Sequence, residues 1–201
     1  MAKGKILAAV AALAMVSPAM AGGDAEAGKS KSGACAACHG VDGNSAAPTF
    51  PKIAGQHADY AAKQLADFKS GARQNALMAG QVANLSEQDM ADLSAYFATQ
   101  KANIGKAKEE TLAQGEAIYR GGIAETGAAA CMACHGANGT GVPGAGFPQL
   151  GGQFSDYTKA QLLTFRDGSR NNDANSIMRD IAKRMTDAEI QAVSDYIEGL
   201  N

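Results

Sequence analysis

The sequence is short of the large aromatic side chains that usually fill a protein core. It contains no tryptophan, five tyrosines and six phenylalanines, whereas glycine occurs 24 times. A domain of about 100 residues buries only roughly 60 to 65% of its unfolded surface, so a core this poor in aromatics gains little from burial. We therefore expect a bound group to fill part of the interior.

Long hydrophobic runs are also scarce. The longest, residues 6–16, is about half of the roughly 20 residues that a membrane-spanning helix needs. Because two lysines precede this run and small residues follow it, we predict a secretory signal peptide over residues 1–21 that is cleaved after Ala21. The exported chain would carry no membrane anchor, and we expect it in the periplasm.

The chain lacks an excess of charge of either sign. Its formal net charge is −2, which becomes −4 once the two lysines of the predicted signal peptide are removed. A weakly acidic surface does not attract nucleic acid or anionic lipid. We expect neither a nucleic-acid partner nor stable insertion into a membrane.

Two segments of the chain are copies of one unit. Residues 48–75 match residues 145–172 without a gap. The pairs that lie 97 residues apart include Phe50/Phe147, Gly55/Gly152, Gln56/Gln153, Tyr60/Tyr157, Gln64/Gln161, Phe68/Phe165, Gly71/Gly168 and Arg73/Arg170. Such self-similarity indicates an internal duplication. We predict an N-terminal domain over residues 22–100, a polar linker over 101–108 and a C-terminal domain over 109–201.

Both copies carry helical patterns. Amphipathic stretches end at Gly71 and Gly168, and closing helices begin at Ser86 and Thr186, each with a carboxylate three residues later. We expect the closing helices to bury one apolar face, which comprises Met90, Leu93 and Phe97 in the first copy and Ile190, Val193 and Ile197 in the second. Because no alternating apolar run of strand length occurs, the predicted class is all-α.

All four cysteines belong to two copies of one hexapeptide, CAACHG at residues 35–40 and CMACHG at 131–136. The pattern CxxCH is the attachment site of c-type haem, since cysteines one helical turn apart can each bond a vinyl group while the next residue directs its imidazole towards the iron. We predict two covalently bound haem c groups. Their attachment residues would be Cys35, Cys38, Cys131 and Cys134, and their proximal iron ligands His39 and His135.

Other chemistry is open to CxxC pairs. Exported proteins form CxxC disulfides, and four cysteines suffice for a zinc site. Neither alternative gives a role to the histidine that follows the second cysteine in both copies, so haem attachment is favoured.

The sixth iron ligand decides whether the iron transfers electrons or binds a small molecule. His57 cannot serve both halves, and its counterpart is Phe154, so we expect a surface histidine there. Met78 and Met178 both lie eight residues before the N-cap of a closing helix, and we predict them as the axial ligands, each in a polar loop that passes into a short apolar run. The methionines that do not recur between the copies are expected to fill the core; they are Met90, Met132 and Met185.

With these residues the chain resembles the di-haem cytochrome c4 family, whose members consist of two fused class I cytochrome c domains. The resemblance rests on the two CxxCHG motifs, the segments FPKIAGQ and FPQLGGQ, RQN and RNN, and the two recurring methionines. It implies a periplasmic electron carrier rather than an enzyme, with His/Met coordination in both halves and two haems close together at the domain interface. It also implies redox proteins as partners, namely a membrane-bound donor complex and a terminal oxidase.

Two other functions share this architecture. The cytochrome subunit of a flavin-dependent sulfide-oxidising complex resembles the same double domain, and the sequence does not separate it from a free carrier. A di-haem peroxidase also carries two CxxCH motifs, but it needs an accessible iron, and one methionine for each haem argues against it.

Overall fold

The computed structural model describes residue 1 and residues 22–201; the rest of the predicted signal peptide, residues 2–21, and its cleavage site at Ala21 lie outside the described residues. Within them, regular structure is helical, with two isolated β-bridges. The helices are Ala25–Lys31 (α1), Gly33–His39 (α2), Ala58–Ser70 (α3), Ala76–Val82 (α4), Glu87–Ala98 (α5), Leu112–Gly121 (α6), Met132–His135 (α7), Ser155–Asp167 (α8), Ile177–Ala182 (α9) and Asp187–Glu198 (α10), with a 3₁₀ turn at Ala174–Ser176. The predicted all-α class is confirmed.

Each half is organised around its closing helix. Helix α5 packs against α1 and α3, and α10 packs against α6 and α8 in the same way. The apolar faces predicted for α5 and α10 are buried, and Ile190 and Val193 are fully inaccessible. No helix in the described part of the chain has the length and apolarity needed to cross a membrane.

The helix ends follow the sequence signals. Ser86 and Thr186 each form a capping box, in which the hydroxyl accepts a hydrogen bond from the backbone N–H three residues later and the carboxylate there accepts one from the cap. Gly71 and Gly168 end α3 and α8 with φ angles of +82° and +80°. That left-handed conformation favours glycine because a Cβ atom would be strained there.

Two further glycines allow the first and last helices of each half to cross at close range. A Cβ atom on Gly28 would lie 2.0 Å from the carbonyl oxygen of Asp92, and one on Gly115 would lie 2.3 Å from that of Ala192. Real atoms cannot approach so closely, so a side chain at either position would push the helices apart. The two crossings, α1 with α5 and α6 with α10, therefore depend on glycine.

The two halves meet through reciprocal hydrogen bonds. The side-chain amide of Gln56 accepts from the backbone N–H of Gln149 and donates to its carbonyl, both at 3.0 Å. The side-chain amide of Gln153 likewise accepts from the backbone N–H of Lys52 at 3.0 Å and donates to the Lys52 carbonyl at 2.7 Å. Because positions 56 and 153 correspond in the repeat, as do 52 and 149, the halves are related by an approximate two-fold axis that runs through this contact.

The segment between the halves is held at several points. The N–H of Gly105 donates to the carbonyl of Glu198 at 3.0 Å, and Lys108 forms an ion pair with buried Asp195 at 2.9 Å. Burial alone would raise the pKa of Asp195, but bonds from Lys108, Ser155 and other donors outweigh it and hold that pKa below its ordinary value. The linker is thereby fastened to the second half.

The glycine crossing leads to a stability prediction. Gly115→Ala should lower the free energy of unfolding by about 1–3 kcal/mol or more, because the added methyl group forces α6 away from α10. Gly121→Ala is the matched control in the same helix, since a Cβ there meets nothing within 4 Å, and it should be neutral or stabilising by about 0.4–1 kcal/mol. Chemical denaturation of the holoprotein measures both; equal effects would contradict the close-approach argument.

Candidate haem sites

The first CxxCH motif forms a single helix. Cys35 and Cys38 lie one turn apart in α2, which ends at His39, and Gly40 follows with a φ angle of +81°. Cys35 is half-buried and Cys38 is exposed, whereas the His39 side chain is enclosed. Burial raises the pKa of the Cys35 thiol. The helix thus presents two thiols along one edge and an imidazole on the protected side.

The histidines of both motifs are fixed by the same contact. His39 Nδ1 lies 2.8 Å from the carbonyl oxygen of Pro51, and His135 Nδ1 lies 2.9 Å from that of Pro148. A carbonyl oxygen only accepts, so Nδ1 must carry the proton and donate, which leaves the lone pair of Nε2 free for a metal. The aromatic rings of Phe50 and Phe147 lie edge-on to the two imidazoles, at centroid distances of 6.4 Å and 6.2 Å.

Electrostatics favour the form of histidine that binds metal. Burial lowers the pKa of His39 and of His135 below the ordinary 6.5, against the smaller opposing effect of the proline carbonyls. Both imidazoles are therefore neutral at pH 7. A neutral imidazole with a fixed tautomer is the form in which histidine ligates iron.

The second motif is more enclosed than the first. Helix α7 is one turn long, and Cys131 precedes it with helical backbone angles, so Cys131 and Cys134 again lie one turn apart. Burial raises the pKa of the Cys131 thiol to about 11. The segment 121–130, which has no counterpart before Cys35, closes on itself through a bridge between Ile123 and Ala128. Ile123 and Ala128 belong to the buried cluster against which Cys131 packs.

The alternatives for the cysteines find no support in the structure. No disulfide joins any of the four cysteines, which all lie in the described part of the chain. No group of three or more His, Cys, Asp or Glu side chains gathers into a metal site anywhere in residues 22–201. The motifs thus lie apart, each with its own histidine, as haem attachment requires and a shared zinc site does not.

The recurring methionines differ from the others in their surroundings. Met90 and Met185 are core residues, each 5% exposed, whereas Met78 and Met178 are half-buried. Met178 and Cys131 both pack against the buried core cluster of the second half. Met78 and Met178 are therefore less buried than Met90 and Met185, and they are also the pair that recurs between the two copies.

The methionine segments are more regular than predicted. The sequence suggested polar loops, but Met78 lies in α4 and Met178 in α9. Asn75 begins α4 by accepting a hydrogen bond from the N–H of Met78 at 3.0 Å. In the second half a 3₁₀ turn with two left-handed residues, Asn175 and Ser176, leads into α9. The cap at Asn75 acts at short range, so a search for apolar periodicity misses the start of α4.

His57 does not occupy the surface position predicted for it. It precedes α3 and is half-buried, and its Nε2 atom is buried without a hydrogen-bond partner in the described chain. Its counterpart Phe154 packs under Lys52, whose Nζ lies 4.5 Å from the ring centroid. The expectation of a surface histidine was wrong in this respect, because the ring nitrogen Nε2 is buried.

Several residues that shape the sites were not assigned a role from sequence. Pro51 and Pro148 orient the histidines through backbone carbonyls, which leave no side-chain signal. Gln56 and Gln153 were visible only as repeat identities. The signal that could have found them is their recurrence as polar residues within a shared segment.

Comparison with known proteins agrees with this geometry. The Cytochrome c family model matches residues 25–101 and 113–201. The chain is 49% identical to cytochrome c4 of Pseudomonas aeruginosa over 190 residues, which cover 94% of each chain. It is 45% identical over 168 residues to a protein of Stutzerimonas stutzeri named thiosulfate dehydrogenase electron acceptor, covering 81% of this chain and 77% of that one.

A solved structure shows the same arrangement. The crystal structure of reduced recombinant cytochrome c4 from Pseudomonas stutzeri superposes with a TM-score of 0.87 at 48% sequence identity, covering 89% of this chain and all of that one. The chain therefore belongs to the cytochrome c family and, within it, to the di-haem cytochrome c4 proteins, which are electron carriers with covalently bound haem c and not enzymes.

Proposed function

We propose that each half of the chain holds one haem c through its own set of four residues. The first set is Cys35, Cys38, His39 and Met78, and the second is Cys131, Cys134, His135 and Met178. The domain bounds that go with this assignment are residues 22–100 and 109–201, with 101–108 as the linker. The observation that carries the proposal is the repeated bond from each histidine Nδ1 to a proline carbonyl, which reserves Nε2 for iron in both halves.

The chain's own residues supply what an electron carrier needs around the metal. Haem c contributes a one-electron iron couple when bound. His39 and His135 are 8% and 6% exposed, so the proximal side of each site is shielded from water. Met78 and Met178 would each supply a thioether sulfur to the iron, which would favour the ferrous state and exclude other ligands. These properties suit electron transfer and oppose peroxide binding.

We place the protein in the periplasm, with the signal peptide cleaved after Ala21. The apolar run behind two lysines supports export, and haem attachment through CxxCH is consistent with it. The proposed partners are redox proteins, with a membrane-bound donor complex and a terminal oxidase as the leading pair.

A second donor is favoured by one comparison. The relative named thiosulfate dehydrogenase electron acceptor shares 45% identity with this chain, which supports a sulfur-oxidising enzyme as an alternative source of electrons. Mixing the oxidised protein with thiosulfate dehydrogenase and thiosulfate, and following reduction of the haem bands, separates this donor from the respiratory one.

The covalent attachment can be counted. The wild-type protein should contain two haems per chain by the pyridine haemochrome assay, and both should stay with the polypeptide in acidified acetone. Cys35→Ser with Cys38→Ser, or Cys131→Ser with Cys134→Ser, should leave one covalent haem. A double variant that keeps two covalent haems would show that the attachment assignment is wrong.

The methionine assignment has a redox test. Met78→His or Met178→His should lower one of the two reduction potentials strongly and leave the other nearly in place, because imidazole stabilises ferric iron more than thioether sulfur does. Met90→Leu and Met185→Leu are matched controls at buried positions; a volume-conserving swap there costs under about 1.5 kcal/mol and should move neither potential. The far-red absorption band of methionine-ligated ferric haem gives an independent measurement, and its full survival in both histidine variants would refute the assignment.

A further inference from the structure

Two buried arginines face each other across the approximate two-fold axis. Arg73 and Arg170 occupy corresponding positions in the repeat, and each is only 9% exposed. Arginine is almost never buried to this degree without a charged partner. The surroundings of the two guanidinium groups therefore need an explanation.

Arg73 donates hydrogen bonds into both halves. Its Nη1 donates to Oε1 of Gln64 at 2.9 Å, within the first half. Its Nη2 donates to the hydroxyl of Tyr157 at 2.9 Å and to Oε1 of Gln161 at 2.8 Å, both in the second half. Two of its three bonds thus cross the interface.

Arg170 repeats this pattern in reverse. Its Nη1 donates to Oε1 of Gln161 at 2.8 Å in its own half. Its Nη2 donates to the hydroxyl of Tyr60 at 3.1 Å and to Oε1 of Gln64 at 3.2 Å in the other half. The carbonyl oxygens of Gln64 and Gln161 are therefore shared by both arginines, which makes the two guanidinium groups parts of one cluster.

The cluster carries two positive charges without a matching negative charge from the protein. Every acceptor named above is neutral, and neither arginine forms an ion pair with any carboxylate of residues 22–201. The carboxylate of Asp67 reaches the cluster only through Asn172, at 2.6 Å, and is already paired with Lys63. Burying like charges together is costly unless an anion compensates them.

Stacking offsets only part of this cost. The guanidinium carbon of Arg73 lies 4.6 Å from the ring centroid of Phe68, and that of Arg170 lies 4.3 Å from Phe165. Such cation–π contacts contribute modestly and leave the net charge unchanged. An anion that the polypeptide does not supply would complete the site, and each haem brings two carboxylates on one edge of its porphyrin.

The position of the cluster along the chain fits that anion. Arg73 lies between α3 and the helix that carries Met78, and Arg170 lies between α8 and the helix that carries Met178. The segments that begin with Pro51 and Pro148, which orient the two histidines, continue directly into the reciprocal glutamine contacts at the axis. The segments that orient the histidines and the segments that lead to the methionines therefore both reach the interface between the halves.

We propose that Arg73 and Arg170 form one shared cationic cluster that neutralises haem carboxylates of both halves, so that each arginine raises the reduction potential of both haems. The inference rests on the proposed function, which places one haem in each half. The two arginines are then positioning residues that act on the iron through the haem carboxylates. The reduction potential of each half consequently depends on an arginine of the other half.

Single substitutions test the crosswise effect in the full-length holoprotein. In Arg73→Gln, both steps of a redox titration should move to lower potential by comparable amounts, because ferric haem carries one more positive charge and is stabilised when a nearby cation is removed. Arg170→Gln should give the same pattern independently. Arg120→Gln is the control, since that arginine is exposed and paired with Glu116, and it should move neither step.

Lysine variants separate charge from packing. Arg73→Lys and Arg170→Lys keep the positive charge but lose the planar fork of donors, and both should retain most of the wild-type potentials. A lysine variant that shifts as far as its glutamine counterpart would overturn the proposal in favour of a packing role. A shift confined to one step in the glutamine variants would overturn the sharing between halves.

Haem counting keeps the two proposals distinct. Fewer than two covalent haems in the wild-type protein would refute the proposed function itself. Two haems in every variant, together with unchanged potentials in Arg73→Gln and Arg170→Gln, would refute only the arginine cluster.

Discussion

The reciprocal contacts of Gln56 and Gln153 are the interaction on which the arrangement of both sites depends. Each side-chain amide satisfies one donor and one acceptor of the opposite backbone, so a single residue fixes both the distance and the register of the segment it holds. Those segments carry the proline carbonyls that orient His39 and His135. The geometry on the histidine side of each half is therefore supported by a side chain from the other half.

Local features of this protein were predictable from the sequence because they depend on neighbouring residues. The capping boxes at Ser86 and Thr186 and the glycine ends of α3 and α8 are set within one helical turn. The apolar faces of α5 and α10 follow from a period of 3.6 residues. The CxxCH motifs belong to the same class, since their chemistry is contained in five consecutive positions.

Contacts between distant segments could not be predicted in the same way. Repetition marked Gln56, Arg73 and their counterparts, but identical residues in two copies are equally compatible with a role inside each copy. Only the fold shows that their partners lie about a hundred residues away in the chain, in the opposite half.

The approximate symmetry is broken at sites that face each other. Lys52 packs over Phe154, whereas the corresponding pair on the other side of the axis is Gln149 and His57. Cys131 packs against a buried cluster that includes Ile123 and Ala128 of the extra segment, and this segment has no counterpart in the sequence before Cys35. The two proposed haem sites, for which one ligand set is predicted in both halves, thus lie in different surroundings, which is a condition for unequal electron affinity.

The fastening of the linker to the second half changes how the two halves find each other. The backbone N–H of Asn103 donates to Asn44 in the first half, and that of Gly105, two residues on, donates to Glu198 in the second. A tether this short keeps the partner surface at an effective concentration in about the millimolar range or above. Halves that separate would re-associate as an intramolecular event, independent of protein concentration. The contact between them can consequently remain small and largely polar, where two unlinked subunits would require a wider apolar surface to stay together.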